Sequence, residues 1–467
     1  MNDAPSSRTR VLVAVLIGVG ATTFPVSVFA ASLPSIAREF GTSETSIAWV
    51  VSLPTLGFAI AMPVLGKLGD IYGHRRAYLY GFAASSFFAA LTAVAWDAPS
   101  LIALRTLGQI CGAATTPASM ALIMTAFARE DRVKAMGWWS MVTAGAPTIG
   151  LVVGGPLIDA IGWRPLFIVQ AVAGGLAVFG ARSVLPETPR RPNRGFDLAG
   201  ATTLGAGVGA LLVALNQGAS LGWTSPIVVA GFIAAPIGLA IFVAVELHST
   251  NPLLPLTMFR QRNFTVPVAA QFFMQTAYMG AFVLSPFLLD TSFGYTAAGV
   301  TTVMVARPLA FSLCGPLSGR AAVVIGERLM GIIGTSSMAL SMGVLAYGAA
   351  THNIVAVIVG LVLSGAGNGF SQPPFQASMA NSVDENDLGI ASAAKQVVGT
   401  IGASVGITLM IALRGAGSST SSGFAIAFWT GAAIAAVSVV IAFQLADTHR
   451  EPAVVAPSLA AAAPSEA

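Results

Sequence analysis

Apolar runs of about 20 residues recur along almost the whole chain, parted by short stretches that hold most of its charge. A helix of about 20 residues crosses the roughly 30 Å hydrocarbon core of a bilayer and satisfies its own backbone hydrogen bonds there. A soluble fold of 467 residues would need a large charged surface. Charged residues are only 9% here, against about 25% in soluble domains. The chain also has 50 glycines and 26 prolines, which suit close-packed and bent membrane helices. The expected fold class is therefore an all-α membrane protein. Cys111 and Cys314 sit inside apolar runs and read as packing residues. No Walker loop, HExxH pattern, triad or cluster of metal ligands is present. The chain is thus expected to be no enzyme and to need no cofactor or metal. A net charge of +4 is no argument for nucleic acid.

Fourteen candidate spans centre near Val19, Gly57, Phe87, Leu107, Gly150, Ala173, Leu211, Phe232, Met274, Leu309, Ala339, Val362, Thr400 and Ala433. With a cytoplasmic N-terminus, seventeen of the 23 Lys and Arg residues fall in inner connections. Three fall outside (Arg38, Arg164, Arg414) and three within spans (Arg105, Arg307, Lys395). That bias obeys the positive-inside rule and puts both termini in the cytoplasm. Arg8 and Arg10 precede an apolar run too long for a cleaved signal peptide, so it is taken as span 1. The expected units are a six-helix bundle (1–185), a linker (186–196), a two-helix hairpin (197–247), a second six-helix bundle (248–444) and a disordered tail (445–467). Six, two and six helices suggest a duplicated core with an insertion. The stretch "GKLGDIYGHRR", Gly66 to Arg76, has an echo at the same step of the second half, "GPLSGRAAVVIGER". There Gly319 stands where the first copy has Asp70.

Through Gly66, Leu68, Asp70, Gly73, Arg75 and Arg76, the first copy resembles the signature loop of the major facilitator superfamily. The hairpin flanked by "FDLAG" and "GASLGW" is similar to that of its fourteen-helix drug:proton antiporter branch. The resemblance implies a loop that holds the two halves in one conformation. Gly66, Asp70, Gly73, Arg75 and Arg76 form that latch, with Asp70 placed to meet the positive end of a neighbouring helix. Arg105 and Gln109 in span 4 look like a second motif. Gly145, Pro147, Gly150, Gly154, Gly155 and Pro156 in span 5 resemble the motif of exporters, in which small residues let helices approach closely. Gly399, Gly402 and Gly406 in span 13 form a similar face. Lys395 and Gln396 match a basic-Gln pair that the branch places there.

Two helix faces carry amides at helical spacing: Gln271, Gln275 and Tyr278 on span 9, and Asn368, Gln372 and Gln376 on span 12. With Arg105, Gln109 and Arg307 they are the candidate cavity residues. Arg307 falls near the midplane, where a guanidinium would attract anions or electron-rich groups; its alternative role is structural, held by backbone carbonyls. The branch places an Asp in span 1, but Pro25 stands there, and Ala30 replaces a later Asn. Every Asp and Glu falls in a tail, a loop or near a helix end. No buried carboxylate for proton coupling is evident.

The resemblance implies a multi-pass exporter of small amphiphilic compounds in a bacterial cell membrane. It would work as a monomer in a lipid bilayer, by alternating access driven by a proton or other ion gradient. One alternative is a carrier for a specific neutral or anionic metabolite without proton coupling through span 1. Another is a non-transporting membrane sensor or enzyme.

Overall fold

The structure is a computed structural model that describes residues 8–21, 36, 39–42, 44–188, 195–415 and 420–447. Pro25, Ala30, most of the linker and the tail from residue 448 lie outside these. Among the described residues there are helices and no strands. The first group is α1 (residues 8–21), α2 (Glu44–Tyr72), α3 (His74–Ala93), α4 (Ala98–Gly112), α5 (Thr115–Ala126), α6 (Arg129–Ile161) and α7 (Arg164–Val184). Next come α8 (Leu198–Leu221) and α9 (Pro226–His248). The last group is α10 (Arg262–Phe293), α11 (Ala297–Met304), α12 (Ala306–Ile325), α13 (Glu327–Thr351), α14 (Ile354–Ser382), α15 (Leu388–Gly415) and α16 (Thr420–Ala442).

Among the described residues, eleven helical stretches are long and apolar enough to cross a membrane. α4 and α5 form one of them, bent at Ala113–Ala114, and α11 with α12 forms another, bent at Val305. The remaining expected spans, α1, α3 and α6, are helical over their described residues. Local chemistry sets several ends. Asp97 accepts the Ser100 amide at 2.8 Å and Ser100 answers to the Asp97 amide, a capping box that starts α4. That hydrogen-bonding lowers the Asp97 pKa.

Within the first group α3 packs on α4 and α7, and within the last α10 packs on α15 and α13 on α14 and α16. α8 and α9 pack on each other, with α8 also touching α2 and α15. The two groups meet along α2–α15 and along α6–α12. The loop copies after α2 and α12 each end on a left-handed glycine, Gly73 (φ 98°) and Gly326 (φ 101°), which begin α3 and α13. A side chain would be strained at either. Matching these two glycines moves the register of the repeat by four residues. Gly319 then corresponds to Gly66, not to Asp70, and Val323 stands opposite Asp70. Sequence comparison anchored on Gly-x-Leu misses this because the second copy is longer.

The apolar clusters divide unevenly between the ends. The most extensive of the clusters that span both groups joins Val15, Tyr78, Phe82 and Leu122 to Met379, Leu388, Ile390 and Ala391. It lies at the end that holds Asp70. Among the described residues, the clusters at the opposite end are separate. Ile36, Ala95, Leu101, Trp163 and Phe167 belong to the first group alone, and Leu284, Leu288, Leu345 and Phe424 to the last alone.

Candidate functional site

Asp70 is buried in the last turn of α2, and its carboxylate reaches across to the first turn of α15. Oδ1 accepts the Gly389 amide at 2.8 Å and Oδ2 the Ile390 amide at 2.9 Å. These amides belong to the positive end of a helix, where a carboxylate is well placed. His74 Nε2 lies 3.3 Å from Oδ1. Close approach is possible because both contact points are glycine. A Cβ on Gly66 would fall 2.9 Å from the Gly389 carbonyl oxygen, and one on Gly389 2.6 Å from that of Gly66.

Other charges surround this clasp. Lys67 lies 3.8 Å from Asp387. Arg132 of α6 donates to Asn381 at 2.9 Å and to Glu385 at 3.0 Å, and so joins the two groups a second time. Arg75 instead stays within the first group, paired with Glu187 and the Arg182 carbonyl. Arg76 is exposed. Of the expected latch residues, then, Gly66 and Asp70 make the cross-contact, Gly73 shapes the loop, and Arg75 and Arg76 do not reach the other group. Arg132 was not singled out in sequence because it lies well outside the loop.

The α6–α12 seam is made largely of close backbone approach, with Arg320 of α12 over the Trp138 ring of α6 at 6.0 Å. A Cβ on Gly137 would fall 2.7 Å from the Gly315 carbonyl oxygen, and one on Gly319 2.7 Å from that of Val133. Ser312 donates to the Met141 carbonyl at 2.9 Å beside Gly145. The close-packed face therefore begins at Gly137, two turns before the glycine-rich motif. Pro147 is half-buried and Gly150 buried, and the motif continues through Gly154, Gly155 and Pro156 within the same helix.

Above the clasp a polar layer forms around Lys395 of α15, which is only 4% exposed. Its ammonium donates to Gln372 Oε1 at 3.0 Å and Gln376 Oε1 at 3.1 Å. Gln372 donates in turn to Gln271 at 2.8 Å and Asn368 at 3.2 Å. Asn368 donates to Gln275 at 3.4 Å, and Gln376 to Ser392 at 3.1 Å. Five of the expected cavity residues thus meet in one network on α10, α14 and α15. The residue at its centre, Lys395, was legible as a basic residue inside a span and as half of a basic-Gln pair, but not as the centre of these amides. Gly399, Gly402 and Gly406 face α10, which brings α15 close enough for the network to close.

Arg307 and Arg105 lie elsewhere. Arg307 is fully buried, bonded to the Tyr278 carbonyl and stacked 3.6 Å from the Tyr278 ring centre and 5.2 Å from that of Phe282. It is held by a carbonyl and two rings inside the last group, apart from the amide network. Arg105 lies over Phe167 at 5.7 Å, beside a pocket of about 30 Å³ lined by Ser85, Thr92, Gln109 and Gln170. That pocket is within the first group. Buried carboxylates do occur, at Glu246 and Glu327, both near helix ends.

Two gathered halves joined by a capped helix end reproduce the arrangement that the loop motif implies. The sequence model of the Major Facilitator Superfamily matches residues 15–407, with a second match over 268–465. The chain belongs to the Major Facilitator Superfamily. It is a multi-pass membrane transporter of that superfamily. Multidrug resistance protein Stp of Mycobacterium tuberculosis (strain ATCC 25618 / H37Rv) is 29% identical over 410 residues, 86% of this chain and 76% of that protein. Multidrug transporter protein MdtP of Bacillus subtilis (strain 168) is 28% identical over 414 residues, 88% of this chain and 76% of that one. Among solved structures, the human organic anion transporter MFSD10 (TETRAN) superposes with a TM-score of 0.65 at 14% identity, covering 94% of this chain and all of that one. The proton:xylose symporter XylE superposes with 0.62 at 14% identity, covering 93% and 95%. These two show the superfamily fold.

Proposed function

We propose that this transporter exports small amphiphilic compounds across the cell membrane by alternating access. It would work as a monomer with fourteen spans and with the Asp70 end in the cytoplasm. The observation that carries the reading is the asymmetry between its ends. Asp70 on α15 and apolar clusters shared by both halves join the end read as cytoplasmic, while among the described residues the opposite end has separate clusters in each half. The structure then corresponds to the state in which cargo leaves outward. The two multidrug relatives support the choice of drug-like cargo. The bundles at 1–185 and 248–444, with the hairpin at 197–247 between them, are the units that would rock. An ion gradient would supply the energy.

Efflux from a host lacking its own pumps, together with flux in liposomes, tests this. Saturable, energy-dependent removal of lipophilic compounds is expected. Absence of flux for a broad panel, with the protein inserted and abundant, overturns it. A metabolite carrier without proton coupling through span 1 is the second reading. It is favoured by Lys395 as the charged centre of the polar layer, with Pro25 where the branch has an acid. Flux indifferent to an imposed pH gradient would select it.

A further inference from the structure

We propose that Lys395 binds an anionic or carbonyl-rich group of the cargo, and that Asp70 competes with that group as counter-charge for the same helix end. The inference rests on the export reading above and names the cargo class for its site.

The ammonium of Lys395 has three N–H donors, and two go to Gln372 and Gln376. No third partner exists among the described residues, and none of their carboxylates forms an ion pair with it. Gln372 and Gln376 turn their oxygens to the lysine, and Gln372 and Asn368 pass their N–H groups on to the oxygens of Gln271, Asn368 and Gln275, so the layer solvates a cation without neutralising it. A charge inside a membrane span is expensive to hold and marks a functional position unless it is paired.

Its place on α15 adds the second element. Lys395 lies five to six residues beyond Gly389 and Ile390, or roughly 8–9 Å along the helix. The N-terminal end of a helix is itself positive and disfavours a nearby cation. In this conformation Asp70, supplied by the other half, offsets both. When α2 and α15 part, Asp70 leaves together with Lys67 while Asp387 stays beside the start of α15, so the Gly389 and Ile390 amides lose their acceptor and Lys395 keeps only amide oxygens around it. A cargo carboxylate, sulfonate or polarised carbonyl reaching Lys395 would then replace Asp70. Re-docking of Asp70 weakens the attraction for the cargo anion as the inner end closes. Affinity is therefore higher facing the cytoplasm than facing outward, which is the order an exporter needs. Arg307 cannot serve in this way, because it is sealed against Tyr278 and Phe282.

The test uses the full chain in detergent with two probes, fluorescein as anion and ethidium as cation, and reads binding alongside protein abundance and thermal midpoint. The unmutated protein should bind fluorescein better than ethidium. Lys395→Gln should lose fluorescein binding on the order of tenfold, while Lys395→Arg, which keeps the charge, should retain most of it. Asp70→Asn should tighten fluorescein binding several-fold, since about one unit of negative charge is removed at that distance. Preference for ethidium, or a folded Lys395→Gln that binds fluorescein normally, overturns the assignment. Unchanged or weaker fluorescein binding in Asp70→Asn overturns the competition. Efflux of neutral compounds that persists alongside either result leaves the export reading standing, so the two failures are distinguishable.

Discussion

Along α2 and α15 the halves approach through Gly66 and Gly389, and along α6 and α12 through Gly137 and Gly315, each pair near enough that a Cβ would meet the partner's carbonyl. The two seams hold corresponding places in the internal repeat. They differ in what surrounds the glycines. The first adds a carboxylate on a helix end, a lysine–aspartate pair and the buried lysine beyond. The second has Val323 at the position of Asp70 and a single hydroxyl-to-carbonyl bond at Ser312. A charge at a helix end is worth about 0.3–2 kcal/mol depending on burial, and the amides and carboxylate can be taken up by water when the seam opens. The first seam can therefore be released and re-formed by charge. The second adds Arg320 over the Trp138 ring at 6.0 Å, and among the described residues no carboxylate is bonded across it to titrate or exchange.

The largest effects should come from closing off either close approach. Gly66→Leu and Gly137→Leu place a branched side chain where a backbone oxygen already lies, so both should reduce transport per copy by more than about tenfold, since a gap of this kind cannot be relieved by rotating a side chain. Efflux normalised to abundance measures this. Normal transport in Gly137→Leu would show that the α6–α12 contact is not needed for closure.

Asp70→Asn comes next. It keeps the shape of the side chain and one acceptor but removes the charge, so one of the two helix-end bonds is lost. Transport should fall on the order of tenfold with abundance unchanged, from the loss of about 1–2 kcal/mol of clasp. Full transport by this variant would make the two seams equivalent and remove the contrast between them.

Charges inside one half should affect stability and leave switching alone. Arg307→Ala removes a stacked guanidinium and its bond to the Tyr278 carbonyl, a loss of about 1–2 kcal/mol. The expected result is a lower thermal midpoint in detergent with an unaltered order of preference among anionic, neutral and cationic substrates. A changed order at normal stability would return Arg307 to the cargo site.

The smallest effect is expected at the end opposite the clasp. Glu39 meets Arg164 and Trp163 there. Partial burial works to raise its pKa, but the hydrogen bonds from Arg164 and Trp163 outweigh this and hold it below the ordinary 4.5. A depressed carboxylate stabilises the fold above its unfolded pKa, and that contribution disappears as pH falls through the folded value. The pair is partly exposed, so Glu39→Gln should cost about 0.5 kcal/mol or less near neutrality. The difference between variant and unmutated protein should vanish in acid. Melting curves on both sides of pH 4.5 would show it, and a large loss of transport would mean that this end, too, clasps.

Much of this was legible in the chain. Length of apolar runs and sparse charge decide that helices cross a membrane, because no other element satisfies its backbone there. The spacing of Gln271 with Gln275, and of Asn368, Gln372 and Gln376, placed each set on one helix face because the α-helical period is local. Asp70 could be expected at a helix end from its loop. Which helix end it meets could not be read, since Gly389 is more than three hundred residues away. The same holds for Lys395, whose meaning depends on two glutamines from α14, and for Arg307, whose neighbours are rings from α10. Val323 took the place of Gly319 opposite Asp70 once the left-handed glycines set the register. What the sequence by itself determined was every property with a period or a run: the helices and their faces. Which buried charge is sealed, which is clasped and which is free to meet a ligand was decided only by tertiary contact, because a charge's role depends on partners that no local pattern specifies.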